Sequence, residues 1–174
     1  MLLRFSILAA LLALSSGCEQ FPNGTETTFN WWPCASVAGV TVSSMKPVNA
    51  DGSLQYPVKL TDNLNIAVSL VNNKQVYDKL TLDVSIWEWG GFNGCAWSEI
   101  NTFGLLAHQD ACTNGFPCPL NTGSQAITVE LLFKKFGAII GLLKNNAAYQ
   151  IQYKLTAANG DTVCLMAQAR ALTH

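Results

Sequence analysis

Apolar and polar residues alternate with a period of two along much of the chain, the pattern of strands that bury one face and wet the other. Leu64, Ile66, Val68 and Leu70 share one side of such a strand, with Asn65, Ala67 and Ser69 on the other. Leu80, Leu82, Val84 and Ile86 repeat the pattern opposite Thr81, Asp83 and Ser85. Tyr149, Ile151, Tyr153 and Leu155 alternate with Gln150, Gln152 and Lys154, and the series resumes at Val163, Leu165, Ala167 and Ala169 after the turn sequence Asn159-Gly160-Asp161. These last two runs predict a hairpin. Residues 37–48 and 125–132 add further strands, and turn-forming clusters at 49–52, 72–73 and 89–94 separate them. With no long helical period and no internal repeat, the chain predicts an all-β fold, an antiparallel sandwich.

One stretch breaks the alternation. From Leu131 to Leu143 large apolar residues crowd together with only Lys134 and Lys135 for charge, and Gly137 and Gly141 interrupt them. Two readings stand: a strand end followed by a buried helical turn, or an apolar lip at the mouth of a cavity, able to touch a membrane or a lipid. Phe133, Phe136, Ile139, Ile140, Leu142 and Leu143 are the residues that would form that lip.

Composition narrows the class. The chain is 49% hydrophobic and only 12% charged, about half the charged share of an ordinary soluble domain, so it has much apolar surface to place. Its 174 residues suffice for one domain. A net charge of −1 leaves no basic footprint for nucleic acid and no polybasic cluster for anionic lipid. Met1-Leu-Leu-Arg4, an apolar run from Phe5 to Leu14 and the small residues Ser15-Ser16-Gly17 predict a signal peptide over 1–17. That run is shorter than the roughly 20 residues a membrane span needs. A secreted or lumenal chain is oxidised, and cleavage at Gly17 leaves six cysteines, an even set suited to disulfides. Ser16-Gly17-Cys18 also permits a rival reading, a lipoprotein signal with Cys18 acylated. Asn23-Gly24-Thr25 is an N-glycosylation sequon, which places the expected glycan on Asn23. In Asp110-Ala-Cys112-Thr-Asn-Gly-Phe-Pro-Cys118 the intervening Asn114, Gly115 and Pro117 can bend the chain until Cys112 and Cys118 meet.

Catalytic readings fare poorly. His108 is the only histidine inside the domain, because His174 ends the chain, and no nucleophile elbow, His-Glu-x-x-His or phosphate-binding glycine loop is present. His108, Asp110, Cys112 and Cys118 do not have zinc-knuckle spacing, and no metal or other cofactor is expected. Glu88 and Glu99 are explained as surface strand positions as well as by a carboxylate pair. Trp87, Trp89, Trp97 and Phe92 read as core or as a rim facing sugar or lipid, with Trp87 expected in the core.

Asp-x-Cys-x5-Cys-Pro at the centre, Phe29-Asn-Trp-Trp-Pro-Cys34 before it, Gly94-Cys95, and Tyr149-x-Ile-x-Tyr-x-Leu followed by Gly160-Asp-x-Val-Cys164 together resemble the ML lipid-recognition domain family, in its ganglioside-activator and Niemann-Pick type C sterol-carrier branch. The resemblance spans Cys34 to about Leu172. The central loops lack additional cysteines found in the activator, and Cys18 is extra. The resemblance implies an immunoglobulin-like β-sandwich of two antiparallel sheets with an apolar cavity between them, stapled by Cys34–Cys164 and Cys112–Cys118. Cys18 and Cys95 are then left over as a third pair, which sequence alone does not establish. With the signal read at 1–17, a short extension is expected at 18–33 and the lipid-binding domain at 34–174. Alternation assigns the cavity wall to Ile66, Val68, Leu70, Leu82, Val84, Ile86, Tyr153, Leu155 and Leu165. Ala167, Ala169 and Ala171 continue the inward face of the last strand where a filled core would carry bulkier residues. The expected protein is a secreted or lysosomal, non-enzymatic lipid carrier whose partners are a lipid, a membrane surface touched in passing, and a lipid-processing enzyme or receptor. A secreted recognition module with a filled core, binding protein or glycan through its loops, is the alternative.

Overall fold

A computed structural model of the chain describes residues 17–35, 39–91 and 94–174. All of the expected leader except Gly17 lies outside those residues, as do Phe92 and the start of the strand expected at 37–48. Two sheets stack face to face. The smaller has the order β2 (Val40–Val48), β4 (Leu64–Asn72), β8 (Gly123–Leu131). The larger runs β1 (Asn30–Ala35), β10 (Thr162–Leu172), β9 (Ala147–Ala157), β5 (Leu80–Trp89), with β6 (Trp97–Glu99) and β7 (Gln109–Asp110) on the outer edge of β5. Pairing is antiparallel throughout except that β3 (Val58–Lys59) runs parallel to the end of β10, a departure from the purely antiparallel expectation.

The alternation translates directly into burial. Along β4 buried and half-buried residues alternate without a break, and Leu64, Ile66, Val68 and Leu70 enter the core. β9 and β10 pair residue for residue from Thr156↔Thr162 to Ala147↔Ala171, so the predicted hairpin is long and in simple register. β2 keeps its period only to Val42, where a register shift before Ser44 turns Met45 inward. Such a bulge adds one residue to a strand and changes the parity of everything after it.

The residues before β1 are tied to the larger sheet. β1 already begins at Asn30, ahead of the boundary expected at 34. Residues 18–29 are fastened to the larger sheet by the Cys18–Cys95 disulfide, by Trp89 Nε1 donating to the Glu19 carbonyl, and by Asn23 Nδ2 donating to Gln168 Oε1 at 2.9 Å. Because its sulfur is in that disulfide, Cys18 has none left for an acyl thioether. Between the stretches where β1 and β3 pair with β10, the Arg170 amide donates to Tyr56 Oη at 2.8 Å, and the same hydroxyl donates to the Thr25 carbonyl. Trp87 is a correction. It stands out of step with the inward Ile86, opposite Gln150 and Glu99, on the outer half-buried face of the sheet. Period two, applied strictly to β5, sends it there.

The end of the sandwich at the β9–β10 turn is shut. Tyr77 and Leu120 exchange backbone hydrogen bonds across it, and Tyr77 Oη donates to Asp161 Oδ2 at 2.7 Å. Lys74 also pairs with Asp161. The Lys74 ammonium, then the hydrogen bonds from Tyr77 and Asn159, hold the Asp161 carboxyl at about 2, while burial and Asp161 together push the Tyr77 phenol up to about 12. An aspartate that is more acidic folded than unfolded stabilises the fold above its unfolded value, near 3.9, and that contribution disappears as pH falls toward the folded value. Asp161→Asn is therefore expected to melt at a lower temperature than the parent at pH 6, and the gap should close between about pH 4 and pH 2. A gap that stays constant through that range in melting curves would show that Asp161 acts there through packing and not through charge.

Candidate functional site

Between the sheets lies a cavity of about 160 Å³. From the smaller sheet β2, β4 and β8 contribute Val40, Val42, Ile66, Val68, Ile127 and Val129; from the larger, β5, β9 and β10 contribute Leu82, Val84, Ile151, Tyr153 and Leu165. Gln109 and Asn114 bring amides to the lining, and Gln109 already donates to the Leu105 carbonyl and Asn114 to that of Asp110. A buried water needs about 10–15 Å³ and two to four polar partners. The space admits roughly ten by volume, yet the wall offers them almost nothing to bond. Apolar space of this kind stays dry and accepts apolar molecules, as an engineered cavity of about 150 Å³ accepts benzene.

The space persists because β10 carries small residues where the two sheets would otherwise interlock. Ala167, Ala169 and Ala171 all line the cavity. On β9 they stand opposite Ile151, Tyr149 and Ala147. Native cores fill to crystal density, and an alanine reaches less far toward the facing sheet than the larger residues usual in such a core.

The segment after β8 crosses from the smaller sheet to the larger at the end opposite Asp161. It forms a 3-10 turn, Phe133–Phe136, and a single helical turn α1 (Gly137–Ile140). The stretch is a strand end followed by helical turns, and those turns line the cavity. Phe133, Phe136, Ile139, Ile140 and Leu143 recur at helical spacing and line it. Leu142 differs: it points away, 63% exposed, and does not line the cavity. The charges around the segment each reach a different element. Lys134 pairs with Asp62 at 2.9 Å, Lys135 Nζ donates to the Thr113 carbonyl at 3.2 Å, and Lys144 pairs with Glu88 at 3.1 Å. The Lys134 ammonium holds the Asp62 carboxyl below its usual range. Exposed pairs contribute only about 0–1 kcal/mol, so the segment is seated by its apolar face. Tyr149 Oη donates to the Lys144 carbonyl at 2.9 Å, and burial pushes the phenol up to about 12.

The structure places Ile66, Val68, Leu70, Leu82, Val84, Ile86, Tyr153, Leu155 and Leu165 together on the cavity wall. Several lining residues escaped alternation. Met45 follows the bulge in β2, Val58 and Leu60 sit in a short stretch beside β10, and Phe116 is carried inward by the disulfide corner itself. An aromatic residue inside a short cysteine-closed loop was the available signal for the last.

Cysteines pair as Cys34–Cys164, Cys112–Cys118 and Cys18–Cys95. Asp110 caps the turn of the central corner by accepting from the Cys112 amide at 2.9 Å. His108 is exposed beside Asp83, its Nδ1 lying 3.3 Å from Oδ1. No cluster of three or more histidine, cysteine or carboxylate side chains able to hold a metal occurs among the described residues. Glu88 lies opposite Ser98 and Glu99 opposite Trp87, so the two carboxylates fall on opposite faces of the sheet and do not converge. Trp89 and Trp97 pack outside the cavity with ring centroids 5.2 Å apart and planes tilted by 59°. No helix among the described residues is long and apolar enough to cross a membrane.

No family model and no curated protein matches the chain. Among solved structures it is similar to a Niemann-Pick type C2 protein from the Japanese carpenter ant, with 9% identity over 82% of this chain and 98% of that one and a TM-score of 0.47. It is also similar to chicken MD-1 complexed with lipid IVa, at 10% identity over 82% of this chain and 98% of that one, TM-score 0.36. The C-terminal domain of wzt is a further match, at 11% identity over 82% and 77%, TM-score 0.41.

Proposed function

We propose that this chain is a secreted or lysosomal lipid-binding and lipid-transfer protein of the ML type, without catalytic activity, that holds a sterol, phospholipid or glycolipid between its sheets and presents it to an enzyme or receptor. The observation that carries the reading is the apolar cavity, kept open by the alanines of β10 and rimmed at one end by the 133–143 segment. Moving lipid surface out of water into such a space is worth about 0.8 kcal/mol per methylene, so apolar contact drives binding there without polar contacts. Leu142, exposed on the outside of the rim, would be the residue that dips into a membrane during exchange. A leader at 1–17 and a glycan on Asn23 belong to the same reading. Asn23 Nδ2 would keep one N–H after glycosylation, sufficient for its bond to Gln168.

The test is lipid uptake. Incubated with vesicles of mixed phospholipid, sterol and glycolipid and then separated from them, the protein should carry away a stoichiometric lipid, identified by mass spectrometry of its solvent extract. Leu142→Asp should slow the uptake without changing its final extent. Protein that leaves the vesicles with no lipid would overturn the carrier in favour of a recognition module acting through its loops.

A further inference from the structure

On the inner face of the larger sheet, Tyr153 lies between Val84 of β5 and Leu165 of β10, with Ile151 and Leu155 before and after it along β9. Its hydroxyl is buried and has no hydrogen-bond partner among the described residues. The other buried side-chain oxygen in that condition, on Thr156, has the opposite parity on β9 and faces away from the cavity. Buried hydroxyls in native proteins are nearly always bonded, and an unbonded one needs an explanation. Water is a poor partner, since the surrounding wall is apolar and gives a water little else to bond. A phenylalanine would fill the same place on the wall without that cost.

Resting on the lipid-carrier reading, we propose that Tyr153 is a specificity residue whose hydroxyl pairs with a neutral oxygen carried within the apolar body of the ligand. The ligand class is thus a hydroxylated or carbonyl-bearing lipid, in preference to a plain hydrocarbon chain. Depth sets where that oxygen sits. At about 3.4 Å per residue, Tyr153 is roughly 14 Å along β9 from Tyr149, whose hydroxyl marks the rim at the Lys144 carbonyl. A head group held at the rim would not reach it; an oxygen partway along the molecule would. The oxygen must be neutral, because no cation lines the cavity and a carboxylate beside Tyr153 would be a buried charge without a counter-ion. Burial raises the phenol above its ordinary value, so it remains a donor across the physiological range.

The probes are dodecane and a dodecanone with its carbonyl in mid-chain, read against the delipidated protein by displacement of an apolar fluorophore. Relative to its affinity for dodecane, Tyr153→Phe should bind the ketone about tenfold more weakly than the parent does. The infrared carbonyl stretch of the bound ketone should lie below its value in liquid dodecane for the parent and return to that value in Tyr153→Phe. A ketone stretch in the parent equal to that in dodecane overturns the proposal without any variant, and so does an unchanged ratio of ketone to dodecane affinity in a folded Tyr153→Phe. If neither probe binds the parent, the carrier reading itself fails; if dodecane binds and only the ketone tests fail, Tyr153 alone has been misread.

Discussion

Replacing Ala167 and Ala169 together with leucine is expected to abolish lipid uptake and to make the ligand-free protein more stable. Both residues line the cavity from the middle of β10, beside Ile151 and Tyr149. Leucine at these positions puts side-chain carbon into dry apolar space, and each buried methylene contributes about 0.8 kcal/mol. Allowing for imperfect fit, the double variant should gain about 1–3 kcal/mol. A chain of this size shifts by about 2–4 °C per kcal/mol in melting temperature. The sign of the change discriminates between models of the interior. If the sheets already interlock, the added carbon forces side chains off their rotamers and costs about 1–3 kcal/mol. The comparison must use delipidated protein, since a bound lipid stabilises the parent by mass action and would mask the gain. Uptake preserved at parental level, or a lower melting temperature, would each count against a cavity in this place.

The strands were legible because burying one face imposes period two, which β4 obeys without a break, whereas β10 also buries Cys164, Met166 and Gln168 on its outer face. The wall residues followed from the same rule. What escaped was set by events that leave no period. The bulge after Val42 reverses parity in β2, so Met45 reads as outward from sequence and lies inward in the fold. Trp87 misled for another reason: its size suggests a core residue, but its parity with Ser85 and Trp89 places it outside, on the face to which the N-terminal segment is tied through Trp89. That segment contains no long apolar run. What fixes it is one disulfide and hydrogen bonds to residues far away in sequence, such as Gln168. Tyr153 illustrates the opposite case. Alternation put it on the wall, but only three-dimensional contacts reveal that its hydroxyl lacks a partner.

The disulfides carry the second large expectation. Converting Cys34 and Cys164 to serine should cost about 3–5 kcal/mol, against about 2 kcal/mol for the Cys112 and Cys118 pair. The difference comes from the unfolded state. The first bridge closes a separation of 130 residues and the second only 6, and the entropy removed from the unfolded chain grows with the logarithm of the loop. The position of Cys34 adds to this. β1 is an edge strand, exposed over its last four residues, with its ladder to β10 interrupted between Pro33 and Ala35, so little burial holds it once the bridge is gone. β10 would then keep only β3, at its end, on the side away from β9, and Ala167 and Ala169 lie on that strand. Against a total stability of about 5–15 kcal/mol for a typical domain, the long bridge is a large fraction and the short one is not. Denaturant titrations of the two serine double variants measure both costs, with unchanged slopes showing that folding stays two-state. Equal costs would mean that the unfolded chain is already compact enough to bring Cys34 near Cys164. A larger cost at Cys112 and Cys118 would mean that the bridge chiefly seats Phe116 in the cavity wall, and the stabilising weight of the fold would move from the sheet edge to the disulfide corner.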